Sequence, residues 1–334
     1  MRIAIVKLSA LGDIIHAMVV LQFIKSHYKE IEVDWIVEES YKDLLESNPD
    51  INSVHVVNIK KAKEKKSIYF LFNELRKLRK FGKYDLVIDM QGLIKSALIS
   101  RLMLSPITLG FDRFSIRESI ATIFYNKTFK YRYDENVILR NFELIKFALD
   151  LPLNKEEIHC KLPFLFPSQN YVISGLSSIK KNIILIPGSS HKSKRYPIEK
   201  FAKTASNINA NFLIIWGNEK EKIMANEIKA LSNKVYVCEK LSLNQLISLI
   251  SQVDLVIGAD TGPTHMAWAL NIPSITLLGS TPGYRNTFST NINKSIESNS
   301  KVNPYKINKN DHSINEISVN KLNKLANELL RINI

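Results

Sequence analysis

Short apolar runs alternate with amphipathic stretches along most of the chain. Residues 2–7 (RIAIVK), 33–37, 54–57 and 86–89 are apolar runs of the length expected for buried strands. Between them lie helical patterns: residues 14–26, then a charged amphipathic stretch through NELRKLRK to Gly82, then a helix opening after Gln91 and Gly92. Such alternation predicts an α/β unit with a mainly parallel sheet, continuing to about residue 150. Residues 151–167 break the pattern with Pro152, Pro163 and Pro167. The alternation then restarts, with strands at 182–186, 212–216, 235–238, 253–258 and 274–278 and helices at 196–207, from Glu219, after Ser242 and at 264–270. Beyond Gly279 the chain reads as polar loop until a last helix at 318–330. The pattern therefore predicts two successive α/β halves: a domain at 1–155, a linker at 156–180, a second domain at 181–315, and a terminal segment at 316–334.

Three loops after predicted strands carry polar chemistry. The loop at 259–263 leads into a helix with Pro263 in its first turn, a position that suits proline. Asp260, Thr261, Gly262, Thr264 and His265 crowd that helix start, where backbone N–H groups and the positive end of the helix dipole favour a phosphate. Ordinary helix capping by Asp or Thr explains the same residues equally well. After 182–186 comes PGSSHKSKRYP, in which Ser189, Ser190, Lys192, Lys194 and Arg195 suit anion binding. After the first strand, Gly12 permits close backbone approach. Asp13 is either a helix cap or an acid–base group at a strand's carboxyl end, where open parallel sheets place their sites. The chain has no GxGxxG and no Walker A motif, which disfavours a dinucleotide oxidoreductase and a P-loop NTPase.

Composition narrows the class. At 334 residues with 45% hydrophobic content, two domains with real cores are expected. No apolar run reaches the roughly 18 residues that span a bilayer, and the first residues lack a signal-peptide layout. Cys160 and Cys238 are far apart, so neither a metal site nor a disulfide framework is expected, and a reducing cytoplasm fits. The net charge of +14 is uneven: residues 51–132 hold 17 Lys and Arg against 6 Asp and Glu, whereas residues 1–50 hold 5 against 9. A concentrated basic region implies an anionic partner, although a lysine-rich proteome gives the same bias.

Four segments taken together resemble glycosyltransferase family 9, the ADP-heptose:lipopolysaccharide heptosyltransferases. They are KLSALGDIIHA at 7–17, DLVIDMQGLIKSA at 85–97, PGSSHKSKRYP at 187–197 and ADTGPTHMAWAL at 259–270, and SIRESIATIFYNK at 115–127 is similar to the family's acceptor-side segment. Each is weak alone; five in order and spacing over nearly the whole chain are specific. The spacing from Gly12 to His16 resembles the branch that acts on Kdo rather than the branch that adds heptose to heptose. The chain departs from the family at Asn136, where His is common, and at 279–283, which read GSTPG in place of Gly-Pro-Thr-Asp-Pro.

The resemblance implies the GT-B architecture, with two Rossmann-like domains facing a cleft, the acceptor on the first and the nucleotide sugar on the second. It also implies that the last helix crosses back to the N-terminal domain. The implied reaction is an inverting displacement that moves heptose from ADP-heptose to Kdo of Kdo–lipid A. Asp13 is implied as base, its pKa raised by burial from an ordinary value of about 3.9. Lys194 is implied to neutralise the leaving diphosphate, helped by Ser189, Ser190, the backbone at Thr261 and Gly262, and His265. Asp260 is implied to hold heptose hydroxyls, Glu221 the ribose and Leu241 the adenine. Lys7, Gly12, Lys60, Lys61, Lys63, Arg113 and Arg117 are the implied acceptor contacts. No metal, cofactor or nucleic acid is expected. The expected protein is a monomeric cytoplasmic enzyme held peripherally at an anionic inner-membrane surface. The alternatives are transfer to heptose, a nucleotide-sugar hydrolase or epimerase, and a non-catalytic nucleotide-binding module.

Overall fold

A computed structural model describes residues 1–65 and 67–332, without the side chains of residues 62, 63, 70 and 71. It divides into two compact units, Met1–Phe164 and Leu165–Ile334.

The first unit runs β1 (Arg2–Val6), α1 (Leu11–Met18), α2 (Val20–His27), β2 (Glu32–Glu38), β3 (Ser53–Val57), α3 (Ile59–Glu64), α4 (Ile68–Leu78), β4 (Leu86–Asp89), α5 (Ile94–Leu102), β5 (Ile107–Phe111), β6 (Lys127–Phe129) and α6 (Val137–Leu149). Its sheet is wholly parallel in the order β3-β2-β1-β4-β5-β6. Both faces are covered, which is why β1 and β4 read as unbroken apolar runs. One face packs Val6, Val87 and Ile36 against Leu78, Ile99 and Met103 from α4 and the end of α5. On α2 and α6, Phe23 meets Phe142 edge-on at 5.2 Å between ring centroids.

The second unit runs β7 (Asn182–Ile186), α7 (Ile198–Asn207), β8 (Asn211–Ile214), α8 (Glu219–Leu231), β9 (Val235–Val237), α9 (Leu243–Ile250), β10 (Leu255–Ala259), α10 (Gly262–Ala269), β11 (Ser274–Leu278), α11 (Gly283–Asn286), β12 (Asn293–Glu297) and α12 (Val319–Leu329). The sheet order β12-β11-β10-β7-β8-β9 repeats that of the first unit when its strands are counted from β7, and it too is parallel throughout. In each unit the strand order reverses direction between the first and fourth strands. Open α/β sheets bind ligands at the carboxyl ends of the strands beside such a switch point.

The stretch 156–180, read as a linker, contains the boundary between the two units and is anchored to each. Gln22 bonds both backbone groups of Leu162, and Asn48 donates to Phe164 O at 3.0 Å, fixing its first part to the first unit. Its later part is tied into the second unit, where Ser168 N donates to Asn244 and Tyr171 N to Ser248. The last helix packs within the second unit, where Leu322, Ala326 and Leu329 join the core and α12 packs on α7. The polar tract after Gly279 hides an edge strand, β12, whose inward residues are Asn293 and Ile296; a single buried aliphatic residue leaves too little apolar pattern to mark it.

Candidate functional site

In the second unit, the loops after β7 and β10 meet at the switch point. Register pairs Ile186 with Gly258, and a Cβ on Gly258 would lie 2.8 Å from Ile186 Cβ and 3.1 Å from Thr264 Oγ1. Glycine there lets the two strands and the start of α10 close up. Thr261 is the N-cap of α10, with no side-chain cap bond, and Pro263 sits in the first turn as expected. Thr264 instead donates its hydroxyl to Ala259 O at 2.8 Å, locking the turn.

Asp260 is the centre of this site. Its carboxylate accepts from Lys194 Nζ at 2.8 Å, from Asn286 Nδ2 at 3.1 Å, and pairs with His265 Nε2 at 3.0 Å. Lys194 Nζ also donates to the Asp260 carbonyl at 3.0 Å. Burial alone would push the Asp260 pKa up. The Lys194 charge and the His265 hydrogen bond outweigh it and hold the carboxyl well below the usual carboxylate range. Lys194 and Asp260 are therefore an ionised buried pair, with side chains 11% and 7% exposed.

The loop after β7 supplies the rest. Arg195 donates twice to the Ser189 carbonyl, at 3.2 and 3.1 Å, and so braces the loop. Ser189 Oγ is buried and has no hydrogen-bond partner among the described residues. Ser190 is exposed beside it. Glu221 accepts from Gly217 N at 2.7 Å, and a Cβ on Gly188 would come within 2.4 Å of its carboxyl carbon, so Glu221 lies against the serine loop. Leu241 is half-buried immediately before Ser242, which caps α9 as expected.

The first unit builds its loop the same way. Val6 pairs with Asp89, and Lys7 Nζ donates to Met90 O at 2.8 Å. Lys7 is buried and aimed at this loop. Gln91 Oε1 accepts from Leu8 N at 3.0 Å and Ser9 N at 3.2 Å, shaping the turn that delivers Gly12 and Asp13 in the first turn of α1. Asp13 is exposed, and its carboxylate accepts from Ala10 N at 3.1 Å.

Lys60, Lys61, Arg113 and Arg117 are exposed, on segments that follow β3 and β5 at the same carboxyl edge as Asp13. The Lys63 side chain lies outside those described. Arg117 sits on a pinned segment. Arg140 donates to Ser115 O at 2.6 Å, and Glu118 accepts from Ile94 N at 2.9 Å at the start of α5. Lys60 is fixed by its backbone, since its N–H donates to the buried Glu38 carboxylate at 3.2 Å, while Asn58 N donates to buried Glu74 at 3.0 Å. Asn136, the departure from the family pattern, caps α6 by accepting from Ile138 N at 2.9 Å.

Four residues escape sequence reasoning. Asn286 lies in a tract that reads as loop and has no spacing relation to Asp260. Gln91 is visible only as a loop residue. Glu38 and Glu74 look like surface carboxylates until the sheet buries them. Among the described residues there is no cluster of three or more His, Cys, Asp or Glu able to hold a metal.

Known structures share this fold. A structure described as Escherichia coli heptosyltransferase WaaC with ADP superposes with a TM-score of 0.80 at 22% identity, covering 98% of this chain and 100% of that one. A glycosyltransferase family 9 structure from Veillonella parvula gives 0.81 at 20% identity, over 98% and 97%. The fold is thus that of the GT-B glycosyltransferases. The family model for "Glycosyltransferase family 9 (heptosyltransferase)" matches residues 72–316. Lipopolysaccharide heptosyltransferase 1 of Campylobacter coli is 40% identical over 98% of this chain and 99% of its own length, and the enzyme of the same name in Escherichia coli K12 is 27% identical over 85% and 89%. The chain belongs to glycosyltransferase family 9.

Proposed function

We propose that this glycosyltransferase moves L-glycero-D-manno-heptose from ADP-heptose to a Kdo hydroxyl of Kdo–lipid A, in assembly of the lipopolysaccharide inner core. The observation that carries the reading is the group around Asp260. A buried lysine, a histidine and an amide converge on one carboxylate at a helix start, and the loop that carries the lysine holds a buried serine hydroxyl with no partner among the described residues. Such a site suits a sugar diphosphate. The diphosphate takes Lys194, Ser189, Ser190 and the α10 start, while Asp260 accepts from sugar hydroxyls.

The reaction is a single displacement with inversion. The Kdo oxygen forms a bond to the anomeric carbon as that carbon's bond to the β-phosphate oxygen breaks. The acceptor proton passes to Asp13, and the electron pair leaves with ADP. Charge that develops on the diphosphate is met by Lys194 and by N–H donors at Thr261 and Gly262; one such donor is typically worth about 2.7–4 kcal/mol in the transition state. His265 fixes Asp260, Glu221 takes the ribose and Leu241 borders the adenine. Lys60, Lys61, Arg113 and Arg117 receive the acceptor's phosphates and carboxylates. These groups do the work of charge neutralisation, so the reaction proceeds without a metal. The enzyme acts as a monomer at the cytoplasmic face of the inner membrane; among the described residues no helix is long and apolar enough to cross a membrane.

The test is ADP release from ADP-heptose, with and without Kdo–lipid A, in the parent and in Asp13→Ala. Release that requires Kdo–lipid A and collapses in the variant supports the reading. Release without acceptor identifies a hydrolase, and release only with a heptosylated acceptor identifies the second transfer of the core.

A further inference from the structure

Helix α4 (Ile68–Leu78) has two unlike faces. Glu74 and Leu78 are buried and Leu75 packs on the core of the first unit. On the adjoining side, Ile68, Tyr69 and Phe72 are 85%, 77% and 57% exposed. Single exposed apolar residues are ordinary, but here three large ones share one face of one helix. Ile68, Phe72 and Arg76 are spaced i, i+4, i+8, so the apolar stripe runs on into cations. The Arg76 guanidinium lies 5.8 Å from the Phe72 ring centroid, and exposed Lys77, Arg79 and Lys80 follow.

The neighbouring elements continue the pattern. α4 packs beside α5, and α5 beside a 3₁₀ turn at Ser119–Phe124 that exposes Ile120 and Ile123 by 62% and 73%. Phe114, 74% exposed, lies beside the Arg113 guanidinium, 5.4 Å from it. Of the acids nearby, Glu74 accepts from Asn58 N and pairs with Lys77, and Glu118 accepts from Ile94 N. What faces outward is therefore apolar and cationic together.

We propose that the outward face of α4 docks the protein on a bilayer surface rich in anionic lipid. Ile68, Tyr69 and Phe72 enter the headgroup–acyl boundary, and Arg76, Arg79 and Lys80 contact headgroup phosphates. The occupant is a lipid surface because charge complementarity demands an anion, while the apolar stripe demands a hydrocarbon boundary beside it. An interfacial helix has this composition, with aromatic and aliphatic residues flanked by Lys and Arg. The proposal rests on the peripheral-membrane reading above but not on the transfer chemistry.

The experiment is co-sedimentation of the full chain, without nucleotide, with vesicles of phosphatidylglycerol and phosphatidylethanolamine or of phosphatidylcholine alone. It compares the parent with I68S/F72S and with R76Q/R79Q. The parent should pellet with the anionic vesicles only. I68S/F72S should weaken partitioning by about tenfold or more at any salt concentration, and R76Q/R79Q should remove the salt-sensitive part. Both variants alter surface positions, and unchanged far-UV circular dichroism and thermal unfolding of the full chain show that they fold. Equal binding of I68S/F72S and parent, or equal binding to neutral and anionic vesicles, overturns the proposal. Transfer to a detergent-dispersed acceptor separates the two readings. If I68S/F72S keeps that activity and loses vesicles, the docking face stands. If the parent binds vesicles but transfers nothing, the heptosyl reading fails and the docking face stands.

Discussion

The Asp260→Asn substitution tests how the second unit handles charge. Asparagine nearly matches the carboxylate in shape but removes the negative charge that Lys194 faces at 2.8 Å. It also presents an amide N–H₂ where two donors, Lys194 and Asn286, converge on one oxygen. Breaking a buried ion pair from one side leaves the other charge uncompensated, at a cost of about 3–5 kcal/mol. Lys194 retains its bond to the Asp260 carbonyl, which favours the lower end of that range. For a unit the size of Leu165–Ile334, each kcal/mol lowers Tm by about 2–4 °C, so a fall of roughly 6–20 °C is expected.

The informative measurement is the response to ADP. In the parent, the diphosphate must share Lys194 with Asp260. In Asp260→Asn it meets a bare buried ammonium and supplies the missing charge. ADP should therefore raise Tm further in the variant than in the parent when both are followed by scanning fluorimetry. Asn286→Ala is the control: it removes a neutral donor, costs about 1 kcal/mol and should leave the ADP increment as in the parent. Equal ADP increments in Asp260→Asn and parent would refute the reasoning, because the diphosphate would then not approach Lys194. The sign with pH is also fixed. The folded Asp260 carboxyl lies below its unfolded value, so its stabilisation is present above the usual carboxylate range and lost as pH falls toward the folded value. Asp260→Asn should lack that acid-side loss.

Four further outcomes follow from particular contacts. Ser189→Ala removes a buried hydroxyl that has no partner among the described residues, so stability of the free protein should hold or rise slightly while ADP affinity, measured calorimetrically, falls by about tenfold; the reverse pattern would assign Ser189 to the fold alone. Asp13→Asn should lower kcat by about 10²–10⁴-fold with ADP affinity unchanged, and an equal loss of ADP affinity would contradict its placement on the acceptor side. Burial depresses Lys161 to about 7 from 10.5, so the folded state binds fewer protons than the unfolded one between those values and stability should rise with pH across that window. Lys161→Met should flatten that rise and stabilise the first unit at neutral pH, by at most roughly 5 kcal/mol, read by urea unfolding at several pH values. Glu38→Gln loosens the acceptor of Lys60 N, so it should raise the KM for the acceptor with little change in kcat and speed amide exchange at 58–61.

What the sequence reveals and what it hides divide along a physical line. β1, β4, β7, β10 and β11 are buried on both faces, so their composition alone announces them, and the loops that leave them at the switch points are announced with them. Asp13, Lys194, Asp260 and His265 are legible because each sits within a few residues of such a strand. The Ile107–Phe111 strand is harder to see: Pro106 precedes it and Gly110 interrupts it, the glycine being required because a Cβ there would enter the Tyr125 ring at 2.4 Å. Distance in the chain hides the rest. Asn286 reaches Asp260 across 26 residues, Glu38 reaches Lys60 across 22, and Tyr125 donates to Asp89 across 36. None of these partners alters local periodicity, so no pattern along the chain can report them. The same reasoning explains why Lys194 and Asp260 look like separate contacts in the sequence, one for the phosphate and one for the sugar. Folding makes them a single ion pair across 66 residues, and the charge a donor meets belongs to the pair.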